Sequence, residues 1–269
     1  MNTYVTLAQL RRYLGLAPTQ TADDDLLLLL AQAASRIIDS FTGRHFYPKR
    51  ATQHYSYTNP SYLLLINDLL TIHNLTNGDG TLITAYHLHP ANDPIKSSIM
   101  LDRGVVVFTY LSDPIDAITL DATWGFHPDW DHAWEMSGAS VQDNPLSASA
   151  TTLTVSDADA AFSPGQLLRL DDEYVQVLAV DPVDNTLTIS RGANGTTAAS
   201  HPQTTPISIY LPPADIQQTG LRVASWLYKQ KDAGFVQIAS TLRGQIAVPP
   251  ALPDDVQQIL APYIRVVVL

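Results

Sequence analysis

The chain contains no cysteine. That removes disulfide frameworks, thiolate metal sites and cysteine nucleophiles. Charge is scarce as well: 15% of the 269 residues are Asp, Glu, Lys or Arg, against a hydrophobic fraction of 45%. So little charge is low for a monomer that keeps its whole surface wet. Cations are the scarcer sign, 15 Lys and Arg against 26 Asp and Glu, which leaves a formal net charge of −11. Non-specific nucleic-acid binding runs on Lys and Arg neutralising phosphate, so this balance argues against a protein that wraps DNA or RNA. Long apolar runs are missing too. The longest, Leu26 to Ala31, is far short of a membrane span, so no membrane partner is expected. The first residues, Met1 to Leu14, place Arg11 and Arg12 inside an amphipathic pattern with no apolar core behind it. No secretory signal is expected, and a cytoplasm is the expected place of synthesis.

Glutamate is nearly absent. Only Glu135 and Glu173 occur, so 24 of the 26 acids are aspartates. Asp favours turns and caps, whereas Glu favours helix surfaces. The composition therefore predicts strands, turns and short capped helices. At about 150 residues per domain, the length allows one large domain or two small ones.

The N-terminal 43 residues read as two helices. Thr6-Leu7-Ala8-Gln9 fits a capping box, Leu7, Leu10 and Leu14 recur at helical spacing, and Gly15 sits where a helix stops. Asp23, Asp24 and Asp25 open the second helix, where the dipole favours acids. Leu26, Leu30, Ala34, Ile37 and Phe41 form one stripe, widened by Leu27, Ala31 and Ile38, and Gly43 ends it. Such a broad apolar face needs more than one neighbour.

Short strands follow. Thr52–Tyr57, Tyr62–Ile66, Leu70–Leu75, Ala85–His89, Val105–Tyr110 and Ile115–Trp124 are separated by turn clusters, which predicts an antiparallel sheet. Residues 125–146 read as an irregular, tryptophan-rich stretch. A second β region over 147–211 has strands at Thr152–Val155, Gln166–Leu170, Glu173–Val180, Thr186–Ser190 and Ile207–Leu211. After Pro212-Pro213 comes a helix with Lys229 and Lys231 in its last turn, then an extended stretch from Val236 to Val248, then a short helix over Val256–Ala261. The expected fold class is α+β: N-terminal and C-terminal helices, an antiparallel β middle, and an inserted small β-barrel or sandwich module. The expected domains are residues 1–146 with 212–269, and the insert 147–211.

Catalytic signatures are missing. No Gly-x-Ser-x-Gly, Ser-x-x-Lys, phosphate-cradling or dinucleotide-binding glycine pattern occurs. His127, Asp129, Asp131, His132 and Glu135 lack metal-ligand spacing and read as a polar loop, and His87 and His89 as one polar strand face. Neither an enzymatic activity, a metal nor a cofactor is expected. Arg191-Gly192-Ala193-Asn194-Gly195-Thr196 follows a strand and tolerates positive φ. Its Arg191, Asn194, Gly195 and Thr196 form either a plain hairpin tip or a contact loop on an outward-facing module. The chain ends Tyr263-Ile264-Arg265-Val266-Val267-Val268-Leu269. An apolar, β-branched end either completes a sheet of its own chain or docks on another chain, with docking favoured. A competing reading is a glycan-binding or glycan-cleaving β protein, with Trp124, Trp130 and Trp134 beside Asp129 and Glu135.

Two segments carry a family resemblance. One runs Tyr4-Val5-Thr6-Leu7-Ala8-Gln9-Leu10-Arg11-Arg12-Tyr13-Leu14-Gly15-Leu16, through Asp23-Asp24-Asp25-Leu26-Leu27 and Ala33-Ala34-Ser35-Arg36-Ile37-Ile38-Asp39, to Phe41-Thr42-Gly43-Arg44-His45-Phe46-Tyr47-Pro48. The other is Ala224-Ser225-Trp226-Leu227-Tyr228-Lys229-Gln230-Lys231-Asp232, with Pro249-Pro250-Ala251-Leu252-Pro253-Asp254-Asp255-Val256 and Leu260-Ala261-Pro262-Tyr263. Together they resemble the head–tail connector (adaptor) proteins of tailed double-stranded DNA bacteriophages.

The resemblance implies a helical connector core and a non-enzymatic virion protein of the neck. It implies a homo-oligomeric ring, usually a dodecamer, under the portal protein. The stripe Leu26, Leu30, Ala34, Ile37 and Phe41 would then face the next subunit, and the tail Tyr263–Leu269 would reach the portal. A stopper, terminator or tail tube protein would meet the other face. Double-stranded DNA would pass through the lumen without specific binding, a passage that an acidic wall suits because like charge repels phosphate. The long β middle departs from the compact, mostly helical members of that family.

Overall fold

The computed structural model describes residues 2–17, 19–158, 162–231 and 252–265. The stretch Val236–Val248 and the terminal residues 266–269 lie outside them.

The helices form where the sequence places their signals. Helix α1 (Leu7–Leu14) begins on the Thr6 capping box: Gln9 N–H donates to Thr6 Oγ1 at 3.1 Å and Thr6 N–H donates to Gln9 Oε1 at 2.9 Å. Gly15 closes it in the left-handed conformation, φ 71°. Helix α2 (Asp24–Thr42) ends on Gly43, φ 66°. Arg11 bridges the pair through a two-pronged bond to Asp24 at 2.7 and 3.0 Å. Helix α3 (Ala214–Gln230) and helix α4 (Asp254–Leu260) return to this group from the other end of the chain. Tyr4, Leu10, Leu27, Ala31, Ala34, Ile38, Phe46, Val223, Ala224, Val256 and Leu260 bury together as one core.

The first sheet has the order β1-β5-β2-β4-β3, every pairing antiparallel. Its strands are β1 (Lys49–Tyr55), β2 (Leu63–Thr76), β3 (Tyr86–His89), β4 (Lys96–Leu101) and β5 (Ile118–Trp124). Three details correct the sequence reading. Tyr62–Ile66 and Leu70–Leu75 are one strand, because the chain bulges between Leu65 and Leu69 instead of turning. β4 is a further strand. Val105–Tyr110 alternates but forms no ladder, since its one bridge there is Gly78 with Tyr110.

The second sheet has the order β6-β11-β8-β9-β10-β7. Its strands are β6 (Trp134–Ser140), β7 (Thr152–Thr154), β8 (Leu167–Leu170), β9 (Glu173–Asp181), β10 (Thr186–Ser190) and β11 (Pro206–Tyr210). It therefore begins inside the stretch read as irregular, upstream of the expected boundary at 147. Glu135, Gly138 and Ala139 are weak strand formers, and β6 exists because β11 supplies its ladder. The two edges meet where Val141 bridges Val155. Leu153, Leu168, Leu170, Val175, Val177, Leu187, Ile189 and Ile207 fill the interior.

Candidate functional site

The feature that organises the insert is ionic and buried. Glu173 opens β9 with its side chain 1% exposed. It accepts both arms of the Arg191 guanidinium, from Nε and Nη2, at 2.8 Å each. The N–H groups of Gly192 and Ala199 donate to it at 2.9 and 3.0 Å. His201 stands between Glu173, 2.8 Å from Nε2, and Asp171, 2.9 Å from Nδ1. Arg191 also donates to the carbonyls of Ser147 and Ala199. Burial pushes the Glu173 carboxyl up, but Arg191, Ala199, His201 and Gly192 overrule it and hold it at about 2. The cluster clips the 191–201 loop onto β9 and the turn before it.

The Arg191-Gly192 loop therefore points inward. Asn194 exchanges two amide hydrogen bonds with Asn2, at 2.7 and 3.0 Å. Thr196 Oγ1 accepts from Tyr174 N–H at 2.9 Å. Gly195, at φ 82°, presses on β1 so closely that an added Cβ would stand 2.1 Å from the Arg50 carbonyl oxygen. The loop is thus a weld between the insert, the irregular N-terminal segment and the first sheet. Gly195→Ala combines that clash with a strained φ, so a loss of about 1–3 kcal/mol is expected. Urea unfolding at pH 7 measures it, and an unchanged midpoint would contradict the weld.

The stripe on α2 divides. Ala34 is buried in the chain's own core, with Leu27, Ala31 and Ile38. Leu26, Leu30, Ile37 and Phe41 are half-buried. Ile37 and Phe41 line an open, mostly apolar groove of about 580 Å³ with Ala33 and Leu252. At the C-terminal end, Tyr263 packs edge-on against Phe46 and Phe126, both at 5.5 Å, and bonds Asp215. Arg265 N–H donates to the Thr42 carbonyl at 2.8 Å and its guanidinium to Asn67. Ile264 between them is exposed, and Val266, Val267, Val268 and Leu269 lie outside the described residues.

The tryptophan cluster is spent on packing. Trp124 is buried in the first sheet, and its Nε1 donates to Ala51 O at 2.7 Å. Trp130 Nε1 donates to Thr71 Oγ1 at 3.0 Å. Trp134 stacks on Tyr174 at 5.3 Å and carries the Arg169 guanidinium at 4.7 Å. Trp130 and Trp134 also border a cleft of about 300 Å³, with His73, Arg169 and Tyr174. Asp129 pairs with His132, and Glu135 is exposed on β6. His127 is buried with both nitrogens engaged, on Leu211 O and Asp129 N–H, and burial lowers its pKa. His87 is exposed and His89 half-buried on β3. Among the described residues no group of three or more His, Asp or Glu gathers as a metal site, and no helix is long and apolar enough to cross a membrane.

Sequence reasoning did not find the Glu173 cluster. One signal was there: one of two glutamates in the chain opens a mostly apolar strand. It also missed Asp39 on α2, which accepts from the buried Tyr4 hydroxyl. Burial lifts Asp39 to about 7, and the Tyr4 hydrogen bond offsets part of that lift.

No family model matches the chain. No curated protein matches it either. Among solved structures it is similar to one described as "Neck of empty GTA particle computed with C6 symmetry", at 15% identity and a TM-score of 0.46, over 99% of this chain and 92% of that one. A likeness of that depth carries no argument about function.

Proposed function

We propose that the chain is a non-enzymatic neck subunit of a tailed double-stranded DNA phage or phage-like particle, a ring adaptor between portal and tail. The observation that carries the reading joins sequence to structure. The two segments that resemble phage connectors lie at opposite ends of the chain, and they pack into one helical core. Tyr4, Leu10, Leu27, Ile38 and Phe46 come from the first, and Ala224, Leu252, Val256, Leu260 and Tyr263 from the second.

Two features support assembly. Leu26, Leu30, Ile37 and Phe41 stay half-buried on α2, and a neighbouring subunit would complete their cover. The C-terminal segment is anchored at Tyr263 and Arg265, and the sequence that follows, Val266-Val267-Val268-Leu269, is apolar, which suits docking on a portal. The acidic excess, repeated around a ring, would repel DNA phosphates from a lumen wall and let the genome slide. A tail-side protein would cap the other face. The glycan reading is the less favoured one, because Trp124 is buried in the first sheet and Asp129 is paired with His132.

Electron microscopy tests the proposal. Mixed with the portal of the same particle, the chain is expected to form a ring with a central hole. Removing residues 266–269 is expected to abolish portal binding and leave the melting temperature unchanged, since Tyr263 and Arg265 stay in place. A chain that remains monomeric beside its portal would overturn the reading.

A further inference from the structure

The far end of the first sheet presents an apolar surface that neither the helical core nor the insert uses. Between β4 and β5 the chain makes a long irregular loop, residues 102–117, which packs on the 77–82 turn. Val105, Leu111 and Ile115 are 71, 80 and 67% exposed, and Leu82 of the neighbouring turn is 60% exposed. Val107 and Tyr110 are exposed between them. Single exposed apolar residues are ordinary, whereas six gathered on one tip mark a contact surface.

The tip is held rigidly. Phe108 is buried beneath it, and its N–H donates to the Ser61 carbonyl at 2.7 Å. Asn77, also buried, donates to Val107 O at 3.0 Å and accepts from Thr109 N–H at 2.8 Å. Gly78 N–H reaches Thr109 O at 3.1 Å, and Tyr57 N–H reaches Pro114 O at 2.7 Å. The Tyr57 and Tyr110 rings meet at 5.1 Å. A surface ordered in advance loses little further entropy on binding.

Charge selects the partner. Residues 77–82 and 102–117 contain four aspartates, Asp79, Asp102, Asp113 and Asp116, and one cation, Arg103. All four aspartates are exposed. Arg103 lies over the Tyr62 ring at 4.3 Å. A second copy would bring the same acids face to face, and an anionic lipid surface would be repelled in the same way. We infer that this tip docks another protein through a segment whose apolar side chains are flanked by Lys or Arg. The inference does not depend on the ring reading.

The test uses the full chain and two amphipathic helical peptides, one built of Leu and Lys, the other with Glu in place of Lys. Hydrogen exchange is expected to show the Leu/Lys peptide protecting residues 102–117 and 78–82, and the Leu/Glu peptide protecting nothing there. Leu111→Ser with Ile115→Ser is expected to weaken the Leu/Lys peptide at least tenfold while the melting temperature holds, because both side chains are exposed. Asp102→Asn, Asp113→Asn and Asp116→Asn together keep the turn hydrogen bonds and remove the charge, so binding is expected to weaken and lose its salt dependence. Protection confined to another surface, equal binding of both peptides, or full affinity in the Leu111/Ile115 variant would overturn the inference. So would self-association that this variant abolishes, which assigns the tip to a second copy. Capture by phosphatidylcholine vesicles would assign it to lipid.

Discussion

Glu173→Gln is expected to cost about 3–5 kcal/mol at pH 7, the penalty for breaking a buried ion pair. The amide keeps the shape but supplies one acceptor oxygen where five donors converge. Arg191 is then left as a buried cation with only carbonyls around it, and His201 keeps Asp171 alone as a carboxylate partner. Chemical denaturation measures the loss, and a cost under about 1 kcal/mol would contradict this account of the cluster. The double variant Glu173→Gln with Arg191→Met is expected to lose less than the sum of the two single variants, because it removes the orphaned charge as well. Hydrogen exchange should show the damage first in residues 191–201, the loop that Glu173 clips down.

The same carboxyl sets an acid limit. Its folded-state pKa of about 2 lies below the ordinary value, so the unfolded chain takes up its proton first as pH falls. The stabilisation is present above about pH 4.3 and fades as pH drops toward 2; the gap between those values is worth about 3 kcal/mol.

What was legible in the sequence was local. The Thr6–Gln9 capping box, the stops at Gly15 and Gly43, and the strands around Glu173–Val180 and Thr186–Ser190 announce themselves within a few residues. What was not legible depends on partners far along the chain. β6 is a strand because β11 lies beside it, some seventy residues on. The bulge at Leu65–Leu69 looks like a turn, since Asn67-Asp68 is turn chemistry, yet the pairings with β4 and β5 carry the strand through. Val105–Tyr110 shows the converse, alternation without a ladder. The Arg191-Gly192 loop follows the same pattern. Asn194 and Gly195 predict its positive φ, but Asn2, Arg50 and Glu173 turn it inward, and no local pattern connects those three positions. Of the candidate surfaces, the α2 stripe was legible as apolar; which of its residues the chain keeps for itself was set by α3 and α4.

Stability is expected to fall as pH rises from about 4 to about 8, by up to about 4 kcal/mol from Asp39 alone. The carboxyl sits on α2 beneath the irregular N-terminal segment that carries Tyr4. Its principal partner is the Tyr4 hydroxyl, which in turn accepts from Phe46 N–H at 2.8 Å. Burial raises its pKa to about 7 even though the Tyr4 hydrogen bond favours the charged form. A raised folded-state pKa means that the native protein holds a proton the unfolded chain has released. The contribution is therefore complete below the unfolded value near pH 4 and disappears as pH passes through 7. Asp39 keeps some contact with solvent, so about half of that ceiling is the reasonable expectation. His45 and His127 oppose it, since burial lowers both and their contribution is lost as pH falls below about 6.5. Asp39→Asn separates the effects. The amide oxygen still accepts from Tyr4 but cannot ionise, while the histidines are the same in both proteins. The difference in unfolding free energy between parent and variant, followed from pH 4 to 8, is expected to move steadily in favour of the variant. A flat difference would mean that Asp39 is already ionised in the native core at pH 4, and that Tyr4 outweighs burial.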